Sequence, residues 1–229
     1  MTIKDMVDKK NQGKGDTGYD EGDFTKAYWT DPNANHYKIP RVQKPTHQAV
    51  TYFQHLILKA GMKTASIVDI GAGAGQFVNA FKQKGFDAYG CEFSKSGREV
   101  AREVFGVNLS PCDLRTALPY ETDAFDWGMC VGVLSMIPIQ NMNTAISEIL
   151  RVVRYGILIN VGCTIVENTV TLIGNPHHIT RLTPQEYWKI FNECGAYDLT
   201  SIQPPQKRAY GIGISVEFAG LFSKRKWEF

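Results

Sequence analysis

Between Ser66 and Gly75 the chain reads S-I-V-D-I-G-A-G-A-G, and no other stretch limits its fold so tightly. Ile67, Val68 and Ile70 make a short apolar strand around an embedded acid, Asp69, and glycines follow at 71, 73 and 75. Gln76 to Lys84 then reads as a helix ending at Gly85. A tight strand-to-helix turn needs glycine because it tolerates positive φ and lets the backbone approach a ligand without a Cβ in the way. The helix behind such a turn aims free N–H groups and its positive dipole end back at it. The stretch therefore predicts a nucleotide-like ligand above the end of the first strand.

The elements around it alternate. A helix expected from Pro45 and Thr46, with Thr46 as N-cap, carries Ala49, Val50, Phe53, Ile57 and Ala60 at helical spacing and stops at Gly61. Strands are expected at Ser66–Ile70, Asp87–Glu92, near Val107–Leu109, at Ala124–Val131 and at Gly156–Val161. The helices between them follow the glycine turn, the N-cap Ser94 and Asn141. Thr183-Pro184 opens another helix, with Pro at its first position. Ala196–Gln203 and Gly211–Phe222 read as two closing strands. Such alternation predicts an α/β, three-layer, Rossmann-like sandwich with a mostly parallel seven-stranded sheet and an antiparallel closing strand. Residues 1–60 form an N-terminal arm and helix, and 61–229 the main domain. Tyr19, Phe24, Tyr28, Trp29 and Tyr37 make the arm aromatic. So much ring surface is expected to pack on the main domain, either as a simple arm or as a lid over the site.

The dinucleotide fingerprint G-x-G-x-x-G/A fails here, because its last position falls on Gln76 or Val78. The phosphate-binding loop is absent too, since no Gly-Lys-Ser/Thr follows. What remains is D-x-G-x-G-x-G, with Glu92 closing the next apolar run. This pattern resembles the glycine-rich motif of the class I S-adenosylmethionine-dependent methyltransferases, over about Thr64 to Val161. The resemblance implies S-adenosyl-L-methionine as cofactor. The turn residues Gly71, Ala72, Gly73 and Gly75 would lie against it. Asp69 would bond backbone amides of the turn or reach the methionine part. Glu92 would accept both ribose hydroxyls, with Phe93 beside it. Asp113 would meet the adenine amino group while the backbone at Leu114 meets a ring nitrogen. Val131 and Gly132 would flank the cofactor at the end of the fourth strand.

Two departures from the family stand out. Where many members carry Glu-His after the fourth strand, this chain has Ser135-Met136. Arg154-Tyr155-Gly156 only loosely resembles the Pro-Gly-Gly turn before the fifth strand. A general base must then come from elsewhere, if one is used. His177 and His178, in an insertion from Cys163 to Leu182, are candidates, and a structural role is open for both. Tyr28, Trp29, His36, Tyr37 and Arg181 are candidate substrate contacts. Methyl transfer from a sulfonium is a displacement with a good leaving group already in place, so alignment does most of the work. The expected function is methyl transfer to an O or N atom of a small molecule, a sugar or other metabolite. The alternatives are a catalytically inactive cofactor-binding module and a methyltransferase of protein or nucleic acid.

Composition narrows the partners. A net charge of +2 over 229 residues gives no broad basic field, so nucleic acid is not expected. No asparagine-proline-proline-aromatic motif occurs. The five cysteines, at 91, 112, 130, 163 and 194, form no C-x-x-C pair. They are expected to be reduced, in a cytoplasmic protein without metal. No apolar run is long enough to cross a bilayer. A monomer or homodimer is expected.

Overall fold

The computed structural model describes residues 19–31, 43–163, 178–180, 182–198 and 216–226, with the side chains of 43–48 and 216–219 excepted. Among the described residues a sheet of seven strands runs in the order β3-β2-β1-β4-β5-β7-β6. The strands are β1 (Ser66–Ile70), β2 (Asp87–Glu92), β3 (Ser110–Pro111), β4 (Phe125–Val131), β5 (Val153–Cys163), β6 (Tyr197–Asp198) and β7 (Val216–Ser223). β7 alone runs against its neighbours β5 and β6. The helices are α1 (Lys26–Thr30), α2 (Gln43–Lys59), α3 (Gln76–Gln83), α4 (Lys95–Phe105), α5 (Met142–Val152) and α6 (Pro184–Glu193). Strand order reverses between β1 and β4, the point where an open parallel sheet leaves a crevice for a ligand.

Alternation along the strands sorts side chains onto two faces. Ile67, Trp127 and Met129 join Phe53, Leu56, Phe77 and Phe81 from α2 and α3. Val68, Ile70 and Cys130 join Ile146, Ile149, Tyr187 and Ile190 from α5 and α6. Both faces are thus covered, as a parallel sheet requires.

Local chemistry explains most boundaries. Ser94 caps α4 by accepting from the Gly97 N–H, and Gly106 closes it in the left-handed region at φ 65°. Thr183 and Glu186 form a reciprocal capping box on α6, with Pro184 in its first turn.

Several expected boundaries move. α2 begins at Gln43, so Pro45 lies inside its first turn, where its missing N–H costs nothing. β3 lies at Ser110–Pro111, not Val107–Leu109. Val107 is buried beneath the glycine turn, and only Ser110 and Pro111 come alongside Cys91 and Glu92. β5 starts at Val153, because Val153 ends α5 in an extended conformation and the chain enters the sheet without a loop. Gly156 therefore pairs with Trp127 inside the strand and does not open it. Of the two closing strands, Tyr197–Asp198 and Val216–Ser223 are described, and 199–215 lie outside the described residues.

Candidate active site

The glycine turn sits at the C-terminal end of β1, beside the crevice. The N–H groups of Gly71 and Ala72 both donate to the Cys91 carbonyl at 2.9 Å, which ties the turn to the end of β2. Gly71 has φ 77°, and a Cβ built there would stand 2.3 Å from Val133 Cγ2. Gly75 also has φ 77°, and its Cβ would meet that of Ala101 at 2.9 Å. Neither position accepts a side chain without moving a neighbour. Gly75 also serves as the N-cap residue of α3, whose first N–H groups and dipole end open toward the turn.

Two buried acids line this turn. Glu92 accepts from the Gly73 N–H with one oxygen and from the Ser94 N–H with the other, both at 2.8 Å. Each oxygen keeps a second acceptor site. Burial pushes the Glu92 carboxyl up, opposed by those backbone bonds and by the Arg98 charge. Asp69 is buried, and its Oδ2 has no hydrogen-bond partner. Burial first, then the nearby Glu92 charge, pushes it up to about 8. Of the two roles open to Asp69, bonding the turn is taken by Glu92, and Asp69 is left with an unmet acceptor at the crevice. Gln76, the first residue of α3, is similar: it is buried with Oε1 unpartnered. In the sequence Gln76 shows only as the residue where the dinucleotide fingerprint fails.

Asp113 stands after β3 with both oxygens held by the Arg115 guanidinium, at 2.7 to 3.0 Å. Burial raises its carboxyl, but the bonds and charge of Arg115 outweigh this and hold it low. Arg115 also lies 5.2 Å over the Phe93 ring. Phe93 and Asp113 are thereby fixed relative to each other by a residue that the sequence did not single out. Leu114 is buried in the core on the α5 and α6 face, and Val131 is half-buried at the end of β4.

The aromatic arm packs beside the glycine turn and α4. Phe24, Tyr28 and Trp29 pack edge-on or tilted, with ring centroids 4.7 to 6.3 Å apart, and are buried against Ala74 and Val100. Phe93 and Met136 pack against the same cluster. Ala74, Phe93 and Met136 follow the ends of β1, β2 and β4, and Val100 lies on α4. Trp29 donates its indole N–H to Ser96 Oγ at 3.2 Å. A Cβ on Gly97 would lie near Glu92 Cγ, Gly73 O and Trp29 Cε2 at 3.1 to 3.2 Å, which puts the indole beside the acid and the turn.

On the acceptor side, His178 lies against the end of β5: a Cβ on Gly162 would stand 3.7 Å from its Cε1. The next residues are pinned to the segment after β4. Ile179 and Thr180 donate their N–H groups to the Ser135 carbonyl at 2.9 Å, and Thr180 Oγ1 donates to the Ile137 carbonyl at 2.6 Å. His36, Tyr37, His177 and Arg181 lie outside the described residues.

Residues 67–156 match the family model described as a methyltransferase domain. This segment is similar to a methyltransferase domain. The match spans β1 to the first residues of β5, which includes the turn, both acids and Asp113. Solved structures share the methyltransferase fold. The PH0226 protein of Pyrococcus horikoshii superposes with a TM-score of 0.60 at 14% identity, covering 86% of this chain and 95% of that one. A TehB-like SAM-dependent methyltransferase of Corynebacterium glutamicum gives 0.53 at 17% identity, over 81% and 97%. A SAM-dependent methyltransferase of Archaeoglobus fulgidus gives 0.53 at 17%, over 69% of each chain. No curated protein matches the sequence.

The residues around the turn suit S-adenosylmethionine, the cofactor the resemblance implies. A cationic, hydroxyl-rich ligand suits two buried acids, one of them with an unmet oxygen, beside a turn with no Cβ in the way. Among the described residues no cluster of His, Cys, Asp or Glu is arranged to hold a metal ion. All five cysteines are free. No described helix is long and apolar enough to cross a membrane.

Proposed function

We propose that this methyltransferase transfers the methyl group to an O or N atom of a small molecule, held beneath the aromatic arm. The carrying observation is the cluster of Phe24, Tyr28 and Trp29 on Ala74, Phe93 and Met136. In this reading it roofs the crevice. A macromolecular acceptor would have to displace that roof, whereas a metabolite fits under it. Glu92 takes the ribose, Asp113 with the backbone at Leu114 the adenine, and Asp69 the methionine part with its ammonium. The cofactor supplies the methyl group and the leaving sulfide. The chain's own residues bind and align the acceptor and keep water out.

Met136 stands where many family members have a histidine; it packs against the arm's rings, and a thioether cannot serve as a base. His178 is the base in this reading. The two residues after it are bonded to Ser135, and its ring lies beside Gly162 near the end of β5. It would take the acceptor proton as the new bond to carbon forms. An acceptor that attacks as a neutral amine loses its proton afterwards and depends on His178 less.

The test is a screen with radiolabelled S-adenosylmethionine against sugars, phenols, carboxylates and amines, with protein and RNA fractions alongside. Label in a small molecule, lowered by His178→Gln at neutral pH, is expected. Label only in protein or RNA overturns the small-molecule reading. Cofactor binding without turnover in any class supports the second reading, a non-catalytic binding module, which the Ser135-Met136 pair favours.

A further inference from the structure

The arm is anchored by more than its rings. Ser94 Oγ and Ser96 Oγ both donate to the Phe24 carbonyl. Lys26 pairs with Glu103 near the far end of α4 at 2.6 Å, both largely exposed. Glu21 pairs with Arg98. The last contact differs in kind. Arg98 Nη1 also donates to the carbonyls of Glu92, at 2.7 Å, and Phe93, at 2.6 Å, while Nη2 serves Glu21. One planar guanidinium therefore joins the arm to the backbone of the acid that bonds the glycine turn and of the ring that Arg115 covers. Arg98 is mostly buried, and its first turn of α4 is the one capped by Ser94, whose N–H goes to Glu92.

We propose that Arg98 is a positioning residue that couples docking of the arm to the grip on the cofactor. With Glu21 in place, the guanidinium is held in the plane that serves both carbonyls, and the Glu92–Phe93 corner keeps its shape. When the arm lifts, Nη2 loses its carboxylate, the fork is free to turn, and the corner loosens with it. The rigid fork is what makes this possible, since a lysine has one point charge and cannot serve three acceptors in a plane. Cofactor release is then slow while the arm is down and fast once it lifts. The proposal rests on the reading of the arm as a roof over the site.

The probe is S-adenosylhomocysteine, with affinity from calorimetry and dissociation from stopped-flow fluorescence on the full chain. Glu21→Gln and Arg98→Lys are each expected to weaken binding about fivefold, at the low end of coupling between linked sites, and mainly through faster dissociation. The double variant should be no weaker than Arg98→Lys alone, because the two residues act through one contact. Lys26→Met removes the arm's other ion pair and is expected to stay within about twofold of wild type, the size of an exposed pair. Turnover should show the loss in the cofactor KM with kcat retained. An equal loss from Lys26→Met, or additive losses in the double variant, overturns the role of Arg98. If Trp29→Ala weakens binding while Glu21→Gln does not, only the coupling fails. If Trp29→Ala changes nothing either, the roof itself is wrong. Urea midpoints for each variant separate these results from misfolding.

Discussion

At single residues the site is a contest between burial and partners. Gly71 tolerates no side chain: its φ of 77° strains any L-residue, and a Cβ would press into Val133. Gly71→Ala is expected to cost about 2 kcal/mol or more in stability from strain and overpacking together. It should also abolish measurable S-adenosylhomocysteine binding. Urea unfolding and calorimetry check the two effects separately. Asp69 shows the opposite imbalance, with burial and no partner for Oδ2. Its folded pKa lies near 8, above the unfolded value of about 3.9, so the folded state holds the proton more tightly. Its contribution to stability is therefore greatest at low pH and declines as pH rises from about 4 to 8. Asp69→Asn should flatten that decline in the melting temperature of the free protein and gain most above pH 8. The same change should weaken cofactor binding, because the charge meant for a cation is gone. A wild-type melting profile that rises through this window would contradict the assignment.

At the scale of elements, short connections transmit position. α6 starts from the Thr183–Glu186 box, one residue after Leu182, which is fully buried. The chain just before it carries His178 and is bonded to Ser135. Thr183→Ala is expected to cost about 1 kcal/mol by loss of the cap. Because α6 only borders the site, cofactor affinity should be unchanged. A thermal melt and a binding isotherm distinguish the two. The arm is a second such element. Its helix α1 has five residues, too short to hold on its own, so its geometry comes from the rings and from α4. Ser94, Glu92 and Gly73 form one chain of bonds from α4 to the turn, and the arm lies on it. This is why Trp29, far away in sequence, ends beside Glu92.

Across the whole molecule, closure of the sheet depends on contacts far apart in the chain. Asp123, in the left-handed region at φ 58°, receives Lys224 and Arg225 from beyond β7, at 2.5 and 2.8 Å. Arg154 donates to its carbonyl and to Asp126. Burial raises the Asp123 carboxyl, but Lys224, Arg225 and Arg154 outweigh it and hold it low. Its stabilising effect is thus present above the unfolded pKa of about 3.9 and lost as pH falls through the lower folded value. Asp123→Asn, which keeps the left-handed backbone, should lower stability at pH 7 by no more than about 1 kcal/mol, given the solvent at this site, and by nothing measurable near pH 2. Denaturant curves at the two pH values check it. Much of this architecture was legible beforehand. The boundaries of β1 and β2 and the caps of α4 and α6 follow from periodicity, glycine and capping side chains, all local causes acting within a few residues. The expectation of a nucleotide-like ligand rests on the glycine turn, and that of S-adenosylmethionine on the family resemblance of Asp69, the three glycines and Glu92. Other features depend on groups far apart in the chain meeting in space. The burial of Val107 moved β3, Glu92 and not Asp69 took the turn amide, Arg115 claimed Asp113, and the aromatic arm found Met136. Short-range rules therefore determined the turn, and long-range packing decided what the aromatic arm meets and which acid is left without a partner.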